Sequence, residues 1–251
     1  MSRSNPTLTN PAQHFFQWAG SKGQLTWYDK ENKKDVLVKL PFEFLVLDQL
    51  STIVGYNKAM QAGFWSNEVR NTRTDELFVR TKQGPFEAGL YENLVQTRSK
   101  GGKFAKTIYI AHKIGGEWVI GHIKASGSAL SAWIEFSRSH TVENGKIIME
   151  RGEALEAETG IYYPPKFTYT NASEDEDRQA IELDRQVQAY LNTYLAAPKI
   201  DEDAHGVENY DDVGKATPEQ QAEYEKLKAE RKGRPVAYDG EEPINLDDIP
   251  F

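Results

Sequence analysis

The segment KFAKTIYIAHKIGGEWVIGHIK, Lys103–Lys124, contains two runs in which apolar and polar side chains alternate. Alternation with a period of two is typical of a strand that buries one face. The two runs, Lys103–Lys113 and Glu117–Lys124, are separated by Ile114-Gly115-Gly116. A Gly-Gly pair between such runs favours a two-residue hairpin turn. The segment therefore predicts a β-hairpin, and with it a chain organised around strands.

The turn fixes the register of this hairpin. If Gly115 and Gly116 are the turn residues, Lys113 lies opposite Trp118 and Tyr109 lies opposite His122. Because strand side chains alternate between faces, one face is apolar and is the expected core side. Its residues are Phe104, Ile108, Ile110, Val119 and Ile123. The opposite face carries Lys103, Tyr109, Lys113, Trp118, His122 and Lys124.

Cations mixed with aromatic rings on an exposed sheet suit sequence-tolerant binding of a single nucleic-acid strand. Bases stack on the rings, and lysines neutralise the phosphates. The alternative is an outer face without this role, on which Trp118 packs beneath a C-terminal helix. Both interpretations depend on the register, because a one-residue shift would exchange the two faces.

Two further basic clusters are candidate nucleic-acid contacts. Arg98, Lys100 and Lys103 flank the pair Gly101-Gly102, with Lys106 close behind, and predict a flexible loop that follows a phosphate backbone. The same cluster is also compatible with an ordinary solvated turn. In the second cluster, Trp65 precedes Arg70 and Arg73, and Trp65 suits the core as well as it suits stacking.

The remaining chain reads mainly as short strands with few helices. Strands are expected at 14–18, 24–28, 36–40, 42–50, 52–56, 77–81, 146–150 and 161–169. Helical spacing occurs at 87–98, 129–138 and 174–197. This mixture predicts a mainly β body that forms a small closed or partly open barrel, with one or two helices and a C-terminal helix.

Composition excludes several classes of function. The 251 residues include no cysteine, so disulfides, thiolate metal sites and a cysteine nucleophile are excluded. No apolar run approaches the 18 residues of a membrane span, and no secretory signal is recognisable, so a cytoplasmic location is expected. The five histidines lack metal-ligand spacing, and no phosphate-binding or nucleophile motif is present. We therefore expect neither enzymatic activity nor a metal or other cofactor.

Charge divides the chain into a basic body and an acidic arm. Residues 1–150 carry a net charge of +5 and residues 151–251 one of −13, which together give −8. Such asymmetry is typical of a nucleic-acid binder with an interaction tail. The expected layout is a flexible arm at 1–12, a binding body at 13–197, a disordered acidic linker at 198–240 and a terminal tip at 241–251.

The sequence ends in Asp247-Asp248-Ile249-Pro250-Phe251 and has no cation after Asp239. Acids followed by Ile-Pro-Phe resemble the C-terminal tip of bacterial and phage single-stranded DNA-binding proteins. The resemblance implies an OB-fold body that coats single-stranded DNA in replication, recombination and repair. It also implies that these five residues dock partners such as a polymerase, helicase, primase or nuclease. The charged linker favours a phage-type member, which would act in the cytoplasm of a bacterial host.

Two other hypotheses remain open at this stage. One is a single-strand annealing or recombination-mediator protein, and the other is a replication-accessory adaptor or enzyme that shares only the tail. A homo-oligomer is compatible with each of them.

Overall fold

The computed structural model describes residues 9–29, 32–57, 61–157 and 160–196. The expected linker at 198–240 and the tip, Asp247, Asp248, Ile249, Pro250 and Phe251, lie outside the described residues. Of the expected N-terminal arm, residues 9–12 are described. Ala12 is buried there, and the Gln13 amide donates to the Ile120 carbonyl. The chain is therefore anchored to the body by Ala12, before the first strand begins.

The described residues form a mainly β structure, as the sequence predicts, with three α-helices. The strands are β1 His14–Ala19, β2 Gln24–Asp29, β3 Lys34–Leu37, β4 Phe42–Asn57, β5 Ala62–Ser66, β6 Leu77–Thr81, β7 Gly84–Gly89, β8 Gly102–Ile114, β9 Glu117–Ser126, β10 Gly145–Arg151, β11 Leu155–Ala157, β12 Gly160–Tyr162 and β13 Pro165–Asn171. The helices are α1 Val95–Ser99, α2 Ser128–Arg138 and α3 Glu174–Ala196, and 3-10 turns occur at Tyr91–Asn93 and Val142–Asn144.

The long strand β4 organises the sheet. One edge of β4 pairs with β8 along most of its length. Its other edge pairs with β10 near the N-terminal end and with β5 near the C-terminal end. The main strand order is β3-β2-β1-β9-β8-β4-β5-β6-β7, and β13 pairs with β10 beside this path. The ends of this order, β3 and β7, do not pair with each other, so the described strands form an open sheet rather than a closed barrel.

The register expected for the central hairpin is confirmed. Lys113 pairs with Trp118 and Tyr109 with His122 in the antiparallel ladder of β8 and β9. Gly115 and Gly116 both have positive φ, at 59° and 95°, which an L side chain rarely adopts. Local turn chemistry therefore sets the pairing of the two central strands.

Four of the five residues predicted for the core face of this hairpin are in the core, and the fifth, Val119, is only partly buried. The first hydrophobic cluster contains Phe104, Ile108, Ile110 and Ile123, joined by side chains from β4, β5, β6 and β10. Helix α2 closes this cluster with Trp133, whose side chain is fully buried and whose Nε1 donates to the Gln49 Oε1 at 2.9 Å.

A second cluster forms on the opposite face of the same strands, under α3. Val187, Tyr190 and Leu191 of α3 are buried against a set of residues from the sheet and the N-terminal segment. That set is Ala12, Leu45, Leu47, Leu50, Tyr109, Ala111 and Ile120. The sequence allows either solvent or a C-terminal helix on this face of the hairpin. In the structure α3 covers the central part of the face.

Polar contacts fix α3 at its N-terminal end. The Glu176 amide donates to the Ser173 hydroxyl, and the Glu176 carboxylate accepts from the Ser173 amide at 2.9 Å, which is a capping box. The bond from the Ser173 amide lowers the pKa of Glu176. Glu176 also pairs with Lys146 of β10 at 3.2 Å, so the cap is tied to the sheet.

Further contacts hold the middle and the end of α3. The Gln188 Nε2 donates to Asp48 of β4 at 2.8 Å, and the Tyr194 hydroxyl accepts from the Glu68 amide at 2.8 Å. The helix is thus anchored along its whole length. No helix in the described parts of the chain is long and apolar enough to cross a membrane.

Some elements differ from the sequence expectations. The helix expected at 87–98 is largely wrong, because Gly84–Gly89 is a strand and only Val95–Ser99 is α-helical. The strand expected at 161–169 is divided between β12 and β13. Strands β5 and β11 were not predicted, and the strands expected at 42–50 and 52–56 form the single strand β4. These are short or continuous segments whose pairing partners come from distant parts of the chain.

Candidate nucleic-acid interface

A row of four residues crosses the sheet where β8 begins. Lys103 pairs with Val54, Val54 with Trp65, and Trp65 with Arg80. Residues directly opposite each other in neighbouring strands present their side chains on the same face. The row therefore places a cation at each end of an apolar and aromatic centre.

The side chains in and beside this row differ in solvent exposure, and only the exposed ones can contact a ligand. Lys103 is exposed, and Arg80 is partly exposed, but Trp65 is only 7% exposed. Tyr56 follows Val54 by two residues on the same face and is 58% exposed. Of the two roles that the sequence allows for Trp65, core and stacking platform, its burial supports the core. Tyr56 is the accessible aromatic side chain.

Helix α1 brings two more cations to the same end of the sheet. The Lys100 ammonium lies 5.1 Å from the centre of the Phe86 ring, and the Arg98 guanidinium lies 5.6 Å from that of Tyr91. Lys100 is exposed and Arg98 partly so. Lys82 is exposed in the turn between β6 and β7. We define the basic end as Arg80, Lys82, Arg98, Lys100 and Lys103, together with Tyr56.

Glycines allow α1 to lie against the sheet. A Cβ added at Gly55 would stand 2.2 Å from the Gly101 carbonyl oxygen, and one at Gly102 would stand 2.3 Å from the Thr97 methyl carbon. Neither position has room for a side chain, so the backbones approach closely. The Asn57 Nδ2 also donates to the Lys100 carbonyl at 3.0 Å. The Gly101-Gly102 pair predicted as a flexible loop thus forms a packed junction.

A buried carboxylate holds the start of α1. Glu87 is 2% exposed, and its carboxylate accepts from the amides of Thr97 at 2.6 Å and Gln96 at 3.4 Å. A carboxylate at this position satisfies amides that have no partner inside the helix. The position of Arg98 and Lys100 therefore depends on Glu87.

Two predicted contacts are corrected by the position of α3. Tyr109 is fully buried and His122 is 6% exposed, so neither ring is accessible to a base. The Tyr109 hydroxyl donates to Glu68 at 3.1 Å, and burial together with the Glu68 charge raises the pKa of Tyr109 well above its ordinary value. Burial, with a smaller contribution from the Lys124 charge, lowers the pKa of His122 well below its ordinary value.

Lys106 is a third correction. It lies within β8 rather than in a loop, and it is 5% exposed. Its side chain shares the apolar face of the hairpin with Phe104 and Ile108, because strand positions two apart face the same way. Burial lowers the pKa of Lys106, while the Glu143 carboxylate acts in the opposite direction. A phosphate cannot reach the Lys106 ammonium in this structure.

The two arginines of the second cluster are separated from Trp65. Arg70 donates two hydrogen bonds to the Asp48 carboxylate, at 3.0 and 2.9 Å, and one to Gln188 of α3. The Arg70 guanidinium is therefore engaged in fixing α3 to the sheet. Arg73 is exposed in the segment between β5 and β6. Arg70 therefore links α3 to β4, and Arg73 lies at the surface.

Lys113 and Trp118 lie at the far end of the hairpin from the basic end. Ten residues separate Lys103 from Lys113, which spans about 33 Å in an extended strand. The Lys113 ammonium lies 4.7 Å from the centre of the Trp118 ring. Both line an open pocket of about 790 Å³ whose other wall is the start of α3, with Ser173, Glu176 and Arg178.

Lys124 lies between these two ends. It pairs with Thr107 in β8 and Gln17 in β1, and it is partly exposed. Of the twelve predicted contacts, the structure thus brings together Arg98, Lys100 and Lys103, and it places Lys113 with Trp118 elsewhere. Sequence reasoning missed Tyr56, because nothing near it in the chain marks it as exposed.

Comparisons with known proteins identify no relative. No protein-family model, curated protein or solved structure matches this chain. Within the described residues, no group of three or more His, Asp or Glu side chains is placed to hold a metal ion.

Proposed function

We propose that this protein binds and protects single-stranded DNA with little sequence preference, without enzymatic activity. The observation that carries the proposal is the basic end, where five cations are at least partly exposed at the same end of the sheet as the ring of Tyr56, which is 58% exposed. Cations neutralise phosphates, and an exposed ring stacks a base of any sequence. Tyr56 and Lys103 present both kinds of group on one face of this end of the sheet, and Lys100 adds a cation beside the other face, over Phe86.

The binding path that we propose runs along the outer face of the sheet from the basic end toward Lys124. It does not pass under α3, because Tyr109 and His122 are buried there. In this proposal the body acts as a partly open, OB-fold-like module whose outer sheet face contacts the DNA. Arg73, exposed nearby in the chain, is a candidate for an additional phosphate contact.

The terminal residues supply a second role in the same proposal. Asp247, Asp248, Ile249, Pro250 and Phe251 dock replication and repair proteins such as a polymerase, helicase, primase or nuclease. A C-terminal carboxylate next to an apolar ring lets one basic-rimmed pocket bind both groups. The protein would work in the cytoplasm, that of a bacterial host if a phage encodes it.

A gel-shift titration tests the binding proposal. Wild-type protein should shift a short oligo-dT at low salt and bind double-stranded DNA of the same length more weakly. The K100A/K103A variant should bind oligo-dT at least tenfold more weakly, with a salt slope reduced by about 1.4, because two phosphate contacts to a single strand are lost. The Y56A variant should lose about tenfold, since stacking contributes roughly 1–3 kcal/mol per base.

The matched control removes two exposed lysines elsewhere. Lys22 lies in the turn after β1 and Lys166 in β13, both exposed. The K22A/K166A variant has the same net charge as K100A/K103A and should bind like the wild type. Equal losses in both double variants would mean that net charge alone matters, and the absence of any shift at low salt would refute the proposal.

A further inference from the structure

A two-stranded arm projects from the sheet and packs on neither hydrophobic cluster. It consists of β11 and β12, which pair only with each other in the described structure. Its root is fixed. The Tyr163 carbonyl accepts from the Trp18 Nε1 at 2.7 Å, the Tyr163 amide donates to the Gly20 carbonyl at 2.9 Å, and the Arg151 guanidinium stacks 3.6 Å from the centre of the Tyr163 ring.

The free part of the arm exposes apolar side chains on both of its faces. Leu155 is 46% exposed and Ile161 is 60% exposed. Leu155 pairs with Tyr162 and Glu156 with Ile161, so Leu155 and Ile161 point to opposite faces. An isolated two-stranded hairpin is marginally stable in water. Packing against a partner would therefore bury these side chains and stabilise the arm.

The negative charge of the arm restricts the partners that can bind it. Residues 152–164 contain three glutamates and no cation. A nucleic-acid backbone is repelled by this surface, and so is the chain's own C-terminal region, because residues 197–251 carry 15 acids against 7 cations. The complementary partner is a basic surface with an apolar centre.

The body itself presents such a surface at the edge strand β3. Leu37 is 63% exposed and Tyr28 is 39% exposed. Three exposed charged residues flank this pair, namely Lys33 in the turn before β3, Lys39 two residues after Leu37, and Asp35, which pairs with Tyr28 on the same face. Residues 32–40 carry a net charge of +2. We call this set of five residues the β3 patch.

The arm and the β3 patch lie on opposite faces of one end of the sheet. Trp27 packs on the first hydrophobic cluster, so Tyr28 points the other way, and Leu37 shares its face through the pair with Thr26. The arm roots on the cluster side, at Trp18 and Gly20. A molecule can thus give its arm to one neighbour and receive the arm of another.

We propose that the arm of one copy docks on the β3 patch of a second copy, so that the protein assembles head to tail. Leu155 or Ile161 covers Leu37 and Tyr28, and Glu153 and Glu156 face the lysines of the patch. A head-to-tail contact between two different surfaces repeats along a chain of molecules. This inference does not depend on DNA binding, and its test needs no nucleic acid.

Sedimentation velocity of the full chain across a wide concentration range tests the assembly. Wild-type protein should form species larger than a dimer as the concentration rises. The arm variant L155S/I161S and the patch variant L37S/K39E should each self-associate at least tenfold more weakly. An equimolar mixture of the two should form heterodimers and stop there, because it retains one intact arm and one intact patch.

A charge exchange and a surface control complete the design. E156K and K39E should each weaken assembly, and the double variant E156K/K39E should recover part of it, since the opposite charges meet again. I181S, which removes another exposed apolar side chain (55% exposed, on α3), should assemble like the wild type. Thermal melts establish that each variant is folded.

Three outcomes would overturn the proposal. Wild-type protein that stays monomeric at every concentration has no such contact. Arm and patch variants that assemble like the wild type show that the contact lies elsewhere. Weakened variants whose mixture fails to form heterodimers show that the arm binds a surface other than the β3 patch.

Discussion

His112 shows how a single buried side chain makes the fold sensitive to acid. It is 2% exposed, packs at ring-centre distances of 5.1 Å from Phe16 and 5.4 Å from His14, and its Nε2 lacks a hydrogen-bond partner in the structure. Burial and the neighbouring His14 lower the pKa of His112 to about 4. The imidazole is therefore neutral in the folded protein at neutral pH.

Acid should destabilise the protein through this residue. Below the ordinary pKa of 6.5 the unfolded chain binds a proton that folded His112 does not bind until about pH 4. Stability is therefore full above pH 6.5 and falls by about 3 kcal/mol down to pH 4 through this group. Urea unfolding of wild type and H112L at a series of pH values measures it. H112L should lose less stability in this window, and an unchanged pH dependence would exclude His112 as the source.

Buried His122 and the partly buried His14 act in the same direction. Burial lowers the pKa of each below its ordinary value. H112L should therefore retain part of the acid sensitivity.

At the scale of elements, α3 determines which half of the outer sheet face remains available. Tyr109 is buried in the cluster beneath it, and His122 is buried against Phe15 and Tyr109. Lys103, Tyr56 and Lys124 remain accessible to different degrees. The helix has one apolar face and one charged face, so it depends on the sheet for its stability. The second hydrophobic cluster is thus shared between the sheet and α3.

The shared cluster predicts large losses for truncations on the buried side of α3. Leu191 is fully buried, and L191A should reduce the free energy of unfolding by about 2–5 kcal/mol, because it leaves a cavity under the helix. Ile181 is 55% exposed on the same helix, and I181A should change it by no more than about 0.5 kcal/mol. Urea unfolding compares them, and similar losses would show that α3 does not pack as described.

The cap of α3 provides a smaller effect. S173A removes the hydroxyl that accepts from the Glu176 amide. The expected loss is about 1 kcal/mol, measured in the same denaturation experiment. No loss would mean that the salt bridge between Glu176 and Lys146 holds the helix start by itself.

At the scale of the whole molecule, the proposed function depends on the division between a basic body and an acidic C-terminal region. The body carries the basic end, and the acids are concentrated after residue 150. Acidic residues of the C-terminal region mimic phosphate charge and would compete with DNA at low salt. The same region carries the residues proposed to dock partners.

Deletion of Leu246–Phe251 separates these roles. The truncated chain should bind oligo-dT as tightly as the wild type or more tightly, most clearly at low salt, while pull-down of host replication proteins should be lost. Gel shifts and affinity capture with both chains measure the two properties. A matched chain with F251A tests the apolar anchor alone and should lose capture while keeping its acids. A large loss of DNA affinity on truncation would contradict this division.

The sequence by itself determined the elements whose signals are local. Gly115 and Gly116 set the hairpin turn, alternation set its faces, and the helical spacing over 174–197 marked α3. Each of these signals acts between residues that are close in the chain or directly opposite in one hairpin. The central register, the first core face and the C-terminal helix could therefore be predicted.

Only the tertiary structure decided which polar and aromatic residues are accessible. Tyr109, His122, Lys106 and Trp65 match the chemistry of a DNA-binding surface, yet each is buried by elements distant in the chain. Tyr56 and Lys100 come to the same end of the sheet because the backbones at Gly55 and Gly101 approach closely. Burial depends on packing between segments that are remote in the chain. Local sequence signals do not show which of these segments come together.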